Sequence, residues 1–303
     1  MNTHNRKVHC RGLDFQVAHW GEDAPPRLVL LHGWGDCGAT FAPLCAHWAR
    51  RAPVAAPDMR GFGQSAHAGP HYWFADYLAD LDAILDALSP TQPLALIGHS
   101  MGAQIASLYA GIRPERIAQL VILDGLFLPD TPSDQAPKRY RGWLHQLQEP
   151  PQTRVYPDFH SLATRIQKQH PRLSAERALD VAQAWAREVD GGVQLRMDPR
   201  HRMRGPLLFR AAESKAVWQQ ITAPTLFLDG AQSAFAQAID ACERDDRRAC
   251  FRHRDEKVLE EAGHMLHFDA PEQTAACIDG WLVAQGWPGG DIQDATTRPN
   301  EPA

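Results

Sequence analysis

The residues that can do chemistry gather around one serine. The apolar run Leu94-Ala95-Leu96-Ile97 leads into Gly98-His99-Ser100-Met101-Gly102 and continues as Ala103-Gln104-Ile105-Ala106-Ser107-Leu108-Tyr109. The run predicts a buried strand, and the small-residue segment after it predicts a helix. The G-x-S-x-G spacing fits a strand-to-helix turn so sharp that a Cβ at the glycines would collide with neighbouring backbone. The central residue is then held in a strained conformation, which lifts the Ser100 hydroxyl clear of the sheet edge. The helix that follows aims its unpaired N–H groups at the same spot.

A serine hydroxyl is a weak nucleophile near neutral pH and needs a base within hydrogen-bond reach. Histidine suits that role because its pKa lies near 7. His264 stands in the glycine-marked loop Gly263-His264-Met265-Leu266-His267, after the last predicted strand, and His267 is its competitor. The base needs a carboxylate to hold its tautomer and stabilise the imidazolium. Asp124 closes the strand after the elbow helix and Asp229 closes the penultimate strand, so both are candidates. Two N–H donors must face the oxyanion of an acyl-transfer intermediate. Met101, next to the serine, supplies one; the loop His32-Gly33-Trp34-Gly35 supplies the other, from Trp34.

Strands and helices must alternate to bring these groups to one edge. The sequence predicts an opening hairpin (8–10 and 13–20 around Arg11-Gly12), strands at 27–31 and 54–57, and helices at 41–50 and 74–88. Another strand follows at 117–123. Alternation of this kind implies βαβ units and a parallel sheet, whose loops after the strands share one edge. Beyond Asp124 the pattern changes. Residues 129–217 carry scattered prolines, helical pieces at 157–169 and 174–189, and a break at Asp190-Gly191-Gly192, without a buried-strand run. They read as an inserted, mostly helical lid. The sheet resumes at Pro224 to Gly230. A polar stretch, 241–257, leads to a short strand near Val258-Leu259, and a closing helix occupies 271–284. The expected division is a first core part (1–128), the lid (129–217), a second core part (218–287) and a disordered tail (288–303).

The 303 residues suffice for one large core with an appended lid. Net charge is −5, which argues against nucleic acid as the main partner. The charge is uneven: 129–217 hold 15 Lys/Arg against 10 Asp/Glu, and the rest of the chain 16 against 26. No apolar run approaches a membrane-spanning length, and the polar start is followed by no signal region. Six cysteines without framework spacing read as reduced thiols, which places the expected protein in the cytoplasm. No C-x-x-C occurs, and His264 and His267 lack the glutamate of an H-E-x-x-H site, so no metal is expected. Gly61-Phe62-Gly63-Gln64-Ser65-Ala66 imitates a dinucleotide fingerprint, but His67-Ala68-Gly69-Pro70 follows where a helix should begin. The arginine-rich 196–204 reads as a solvated hairpin.

Taken in order, His32-Gly33-Trp34, Asp58-x-Arg60-Gly61-x-Gly63-x-Ser65, Gly98-His99-Ser100-Met101-Gly102 and Gly263-His264 resemble the α/β-hydrolase fold family. The resemblance covers roughly residues 7–285. Within that family the segments 98–110, 123–128 and 190–202 are similar to the serine hydrolase-like proteins. The resemblance implies an eight-stranded, mostly parallel sheet with a helical lid inserted after the sixth strand, the order Ser…Asp…His, and no cofactor. One departure matters. Many relatives carry the acid in a G-x-x-D pattern past the penultimate strand, where this chain reads Gly230-Ala231-Gln232-Ser233. Haloalkane dehalogenases of the same fold place the acid after the preceding strand, the position of Asp124. Their own chemistry uses an aspartate nucleophile and is disfavoured by Ser100. The expected set is therefore Ser100, His264 and Asp124, with Trp34 and Met101 around the oxyanion. The expected activity is cleavage of a small to medium carboxylic ester through an acyl-enzyme. A thioesterase, C–C hydrolase, lactonase or perhydrolase would use the same machinery. A ligand receptor that keeps the site but turns over poorly is the alternative from another class. The expected partner is a small-molecule acyl substrate.

Overall fold

The computed structural model describes residues 3–287. The expected disordered tail, 288–303, lies outside the described residues. In chain order the elements are β1 (Thr3–Cys10), β2 (Leu13–Trp20), β3 (Leu28–Leu31), α1 (Ala42–Trp48), β4 (Val54–Pro57), α2 (Phe74–Leu88), β5 (Leu94–His99), α3 (Met101–Ile112) and β6 (Ile117–Leu123). Then come α4 (Ala136–Gln148), β7 (Val155–Tyr156), α5 (Phe159–Gln169), α6 (Ala175–Trp185), β8 (Ala186–Val189), β9 (Gly192–Leu195) and α7 (Ala211–Trp218). The chain closes with β10 (Thr225–Gly230), α8 (Ala241–Ala249), β11 (Arg254–Leu259), α9 (Leu266–Asp269) and α10 (Pro271–Ala284).

Eight strands form one sheet in the order β1-β2-β4-β3-β5-β6-β10-β11. β1 and β2 pair antiparallel, β2 pairs antiparallel with β4, and every later pairing is parallel. β3, β4 and β5 are buried at every position. Strands covered on both faces need no polar alternation, which is why they read as continuous apolar runs. On one face Phe41, Leu44 and Trp48 meet Ile278, Trp281 and Leu282 of α10. On the other, Leu81 and Ile84 of α2 pack with Ile105 and Tyr109 of α3 and with Trp218. α2 carries an apolar stripe, with Tyr77, Leu81, Ile84, Leu85 and Leu88 buried.

Between β6 and β10 the structure departs from a mostly helical reading. α4, α5 and α6 are helical, but β7, β9 and β8 form a small antiparallel sheet in that order. The helix expected over 174–189 stops at Trp185. Ala186 to Val189 instead pair with Gly192 to Leu195 across Asp190-Gly191. Asp-Gly is a strong short-range hairpin signal, and Gly191 takes φ +82°, which a side chain would resist. Residues 196–204 are not a hairpin either. Asp198 caps a single tight turn, Pro199–Arg202, by accepting from the Arg200 N–H, and it is buried. The polar stretch 241–257 holds α8, capped by Asp240, and most of β11. No helix among the described residues is long and apolar enough to cross a membrane.

Candidate active site

The turn after β5 carries Ser100 at φ 52° and ψ −111°, a strained conformation for a residue with a side chain. The glycines explain how the turn fits. A Cβ on Gly98 would strike the Gly102 carbonyl and the Ala103 backbone, and one on Gly102 would strike the Leu31 carbonyl. The Ser100 N–H donates to the Leu123 carbonyl at 3.1 Å, tying the elbow to the end of the neighbouring strand β6.

Asp124 stands one residue past that end. Its own N–H donates to Leu228 O at 3.0 Å, and its φ is +42°, so the backbone turns sharply as it leaves the sheet. The carboxylate is fully buried. Oδ2 accepts from His264 Nδ1 at 2.6 Å and from the Ser233 hydroxyl at 2.5 Å, and Oδ1 accepts from the Gly230 N–H at 3.1 Å. The other ring nitrogen of His264, Nε2, lies 3.0 Å from Ser100 Oγ. The three side chains thus form one hydrogen-bonded line across 164 residues of sequence separation. Because Nδ1 faces a carboxylate, the proton of neutral His264 sits there, and Nε2 presents its lone pair to the serine.

Asp229, the rival acid, faces elsewhere. It pairs with Arg248, and Arg248 also holds Glu256 at 2.6 Å. Burial raises the Asp229 pKa, Arg248 opposes this, and nearby Asp124 adds to the rise. His267, the rival base, is fully buried and its Nε2 lies 3.0 Å from Asp36 Oδ2. Ser233, which stands where many relatives of this fold carry an acid in the G-x-x-D pattern, donates to Asp124.

The loop after β3 faces the elbow from the other side and carries Trp34, the expected second N–H donor. Met101 is the first residue of α3, and a helix leaves its first N–H groups without an intrahelical acceptor. Among the described residues no acceptor takes the Trp34 N–H. The loop's shape comes from His32, whose Nε2 accepts from the Met59 N–H at 2.9 Å while Nδ1 donates to Gly33 O at 2.8 Å. A Cβ on Gly33 would come within 2.9 Å of His99 Nδ1 and 3.2 Å of Ser100 Cβ, so only glycine lets this loop close on the elbow. Asp58 braces the same region, accepting from the N–H groups of Gly38 and Gln64 at 2.7 Å each. The Trp34 indole itself is 53 % exposed and forms part of a pocket rim.

That pocket has a volume of about 180 Å³ and is lined by aromatic side chains, among them Trp34, Tyr72, Trp73 and Trp143, together with Met101 and His201. His201 stacks on Phe62, with ring centroids 3.9 Å apart. Burial lowers the His201 pKa to about 4, against the raising effects of its bond to Arg60 O and of Asp198.

Several site residues carry no sequence signal that the motif reading used. Phe235 stacks on the His264 ring, centroids 4.0 Å apart. His99 Nε2 donates to the His264 carbonyl at 2.8 Å, which leaves His99 Nδ1 bare. Burial, then the neighbouring His267 and His264, push the His99 pKa well below the usual imidazole value, so the ring stays neutral. Behind it, the Asp36 carboxylate accepts from Cys37 N–H, Thr40 Oγ, Trp185 Nε1 and His267 Nε2. Burial raises the Asp36 pKa, but the hydrogen bonds from His267 and Trp185 and the electrostatic influence of the neighbouring imidazoles outweigh it and bring it down to about 2. Asp36, His99 and His267 are also the one grouping of metal-ligating side chains among the described residues. With four donors already on its carboxylate, Asp36 holds His267, and the His99 ring packs edge-on against His267, centroids 4.8 Å apart, behind the His264 loop.

Comparison with known proteins places these features in a family. Residues 26–271 match the family described as alpha/beta hydrolase fold. A serine hydrolase-like protein of Danio rerio is 28% identical over 282 residues, which cover 88% of this chain and 84% of that protein. A putative carbamate hydrolase of Caulobacter vibrioides is 33% identical over 183 residues, 59% of this chain and 66% of that protein. Among solved structures, a thioesterase domain from the curacin biosynthetic pathway superposes with a TM-score of 0.83 at 26% identity, covering 92% of this chain and 99% of that one.

Proposed function

The chain belongs to the α/β-hydrolase fold family, and from that premise we propose that it is a serine hydrolase that cleaves a small to medium carboxylic ester or related acyl compound through an acyl-enzyme. The observation that carries the reading is the continuous line Ser100 Oγ, His264 Nε2, His264 Nδ1, Asp124 Oδ2 at a strained elbow. His264 takes the proton as Ser100 Oγ attacks the acyl carbon. Asp124 holds the ring in the tautomer that can accept it and stabilises the imidazolium that results. The N–H groups of Met101 and Trp34 receive the oxyanion. Collapse of the tetrahedral intermediate breaks the bond to the leaving group, which takes the proton back from His264. Water, deprotonated by the same ring, then releases the acid and regenerates Ser100. The 129–217 insertion serves as a lid, because Trp143, His201 and Met203 complete the aromatic pocket beside Met101. The acyl group occupies that pocket.

Burst kinetics with a chromogenic acetate ester test this reading. A stoichiometric burst followed by steady turnover is expected, and Ser100→Ala should lower kcat by roughly 10⁴ to 10⁶. Binding of the ester without turnover would make the protein a receptor on a hydrolase fold, and wild-type activity in Ser100→Ala would remove the nucleophile.

A further inference from the structure

Beyond the acyl pocket, the 129–217 insertion holds a second, larger cavity that the proposed reaction does not use. It is a cleft of about 580 Å³ between α4 and the segment 202–204 that leaves the Asp198 turn. Four permanent cations line it, Lys138, Arg139, Arg202 and Arg204, with His145 beside them and Glu149 the single carboxylate. None of the four has an ion-pair partner among the described residues. The ion pairs formed by cations of this insertion use Arg172, Arg200 and Lys215 instead. Arg139 and Arg202 reach only backbone carbonyls, Gly205 O at 3.5 Å and Gln152 O at 3.4 Å. These are long contacts that leave most guanidinium donors free. Other arginines, such as Arg11, Arg60 and Arg248, are held by carboxylates; what sets the cleft apart is that four unpaired cations line one cavity. A concave group of four unpaired cations with one carboxylate, in a chain of net charge −5, is a local feature with its own chemistry.

The cleft is the near neighbour of the acyl pocket. Along the loop, His201, Met203 and Gly205 line the aromatic pocket while Arg202 and Arg204 line the cleft. Along α4, Trp143 faces the pocket and Gly142 and Gln146 face the cleft. A Cβ on either Gly142 or Gly205 would meet nothing within 4 Å, so open space lies beside both glycines. Arg139 and Gln146, one turn either side of Trp143, are its neighbours on the helix surface, so the two cavities adjoin along α4. A substrate that reaches both cavities needs an acyl group at one end and a multiply charged anion at the other, joined by a slender flexible arm.

We propose, on the serine-hydrolase reading above, that the basic cleft binds the phosphate groups of the leaving group, and that the substrates are acyl thioesters of a phosphate-bearing pantetheine-type thiol. Phosphates suit the cleft better than a lone carboxylate, because guanidinium and ammonium groups can share their several oxygens. The charge belongs on the leaving-group side, since the acyl pocket is aromatic. Ser100 Oγ attacks the thioester carbon, the C–S bond breaks, and the sulfur departs as the thiol with the proton held by His264. Water then hydrolyses the serine ester to the free carboxylic acid.

The test compares acetyl-coenzyme A with acetyl-pantetheine, which has the same thioester and arm but no phosphate. The ratio of their kcat/KM values should be about tenfold or more in favour of acetyl-coenzyme A, the scale of one charge-assisted contact or better. It should fall as salt is added. In Arg202→Gln/Arg204→Gln it should fall toward one, with the melting temperature held near the wild-type value. Adenosine 3′,5′-bisphosphate, followed by calorimetry on Ser100→Ala, should bind and should lose affinity at least tenfold in the same double substitution. Because that readout needs no nucleophile, it separates this inference from the hydrolase reading. A ratio near one in the wild type, a ratio unmoved by the double substitution, or no binding of the bisphosphate would overturn the inference and leave the ester hydrolase intact.

Discussion

Replacing the Asp124 carboxylate by an amide tests the site at its least exposed point. Asparagine keeps the shape and is one of the few residues that tolerates the left-handed backbone, here φ +42°. The fold should therefore survive. The consequence for His264 follows from the donors around position 124. Oδ1 of Asp124 accepts from the Gly230 N–H, so the amide oxygen of the substituted side chain would settle there and its NH₂ would take the place of Oδ2. That NH₂ would face His264 Nδ1, which lies 2.6 Å from Oδ2, and would donate to it. The ring proton moves to Nε2, which then shows Ser100 an N–H in place of a lone pair. The Ser233 hydroxyl keeps no acceptor at that point unless it rotates. A wrong tautomer of this kind costs about 10⁴ in kcat in a comparable triad. The expected result for Asp124→Asn is a loss of that order with acetate esters and a near-normal melting temperature. Ser233 offers the return path, because its hydroxyl already touches the same carboxylate oxygen as His264. Adding Ser233→Asp to Asp124→Asn should restore at least tenfold of the lost activity. Activity within tenfold of wild type in the single substitution would refute the tautomer argument, and so would a crystal structure with Asp229 on His264 Nδ1.

Other consequences are equally direct. His99→Phe keeps the ring's volume but removes the donor to the His264 carbonyl, so kcat should fall about tenfold while KM changes little; steady-state kinetics with an unchanged kcat would show that the loop holds itself. Trp143→Ala enlarges the 180 Å³ pocket and should raise kcat/KM for hexanoyl relative to acetyl esters; an unaltered chain-length profile would place the acyl group elsewhere. The His201 pKa of about 4 has a sign that can be worked out. As pH falls below about 6.5 the unfolded chain binds the proton first, so the stability present above 6.5 is lost down to about pH 4. The loss from this group is at most about 3 kcal/mol, and less to the extent that water reaches the ring. Urea melts at pH 7 and 4.5 should show the decline, and His201→Asn should make it shallower; equal slopes would assign it to other groups.

Much of the frame is legible because its determinants are local. Strands buried on both faces must be apolar throughout, so 54–57, 94–99 and 117–123 stand out as runs, and α2 and α10 are marked by an apolar stripe and by a proline at the start. The elbow is local too: Gly98 and Gly102 are demanded by backbone atoms within a few residues or on the adjacent strand. β8 and β9 carry one local signal, Asp190-Gly191; the strands themselves stay hidden because Ala186-Arg187-Glu188 continue the residue types of α6 without a break. The polar strand β11 is hidden over most of its length because it is the edge of the sheet, exposed at five of six positions.

Residue types and their order specify a set of chemical parts: a serine forced into a strained turn, a histidine after the last strand, and carboxylates at strand ends. The partnerships among those parts come from the three-dimensional arrangement. Asp124 and Asp229 stand at the ends of neighbouring strands, and in the sequence only the serine at position 233, set against the pattern of relatives, favours Asp124. Their fates differ because Arg248, 19 residues from Asp229, reaches that carboxylate, while the loop after β11 brings His264 to Asp124 across 140 residues. The same holds for the Ser233 hydroxyl on Asp124, the contacts of His267 with Asp36 and His99, and the four cations of the cleft. A side chain's type states what it can bond, and periodicity states which face it lies on. Which bond it makes depends on strand register and loop path, which are set by the packing of the whole chain.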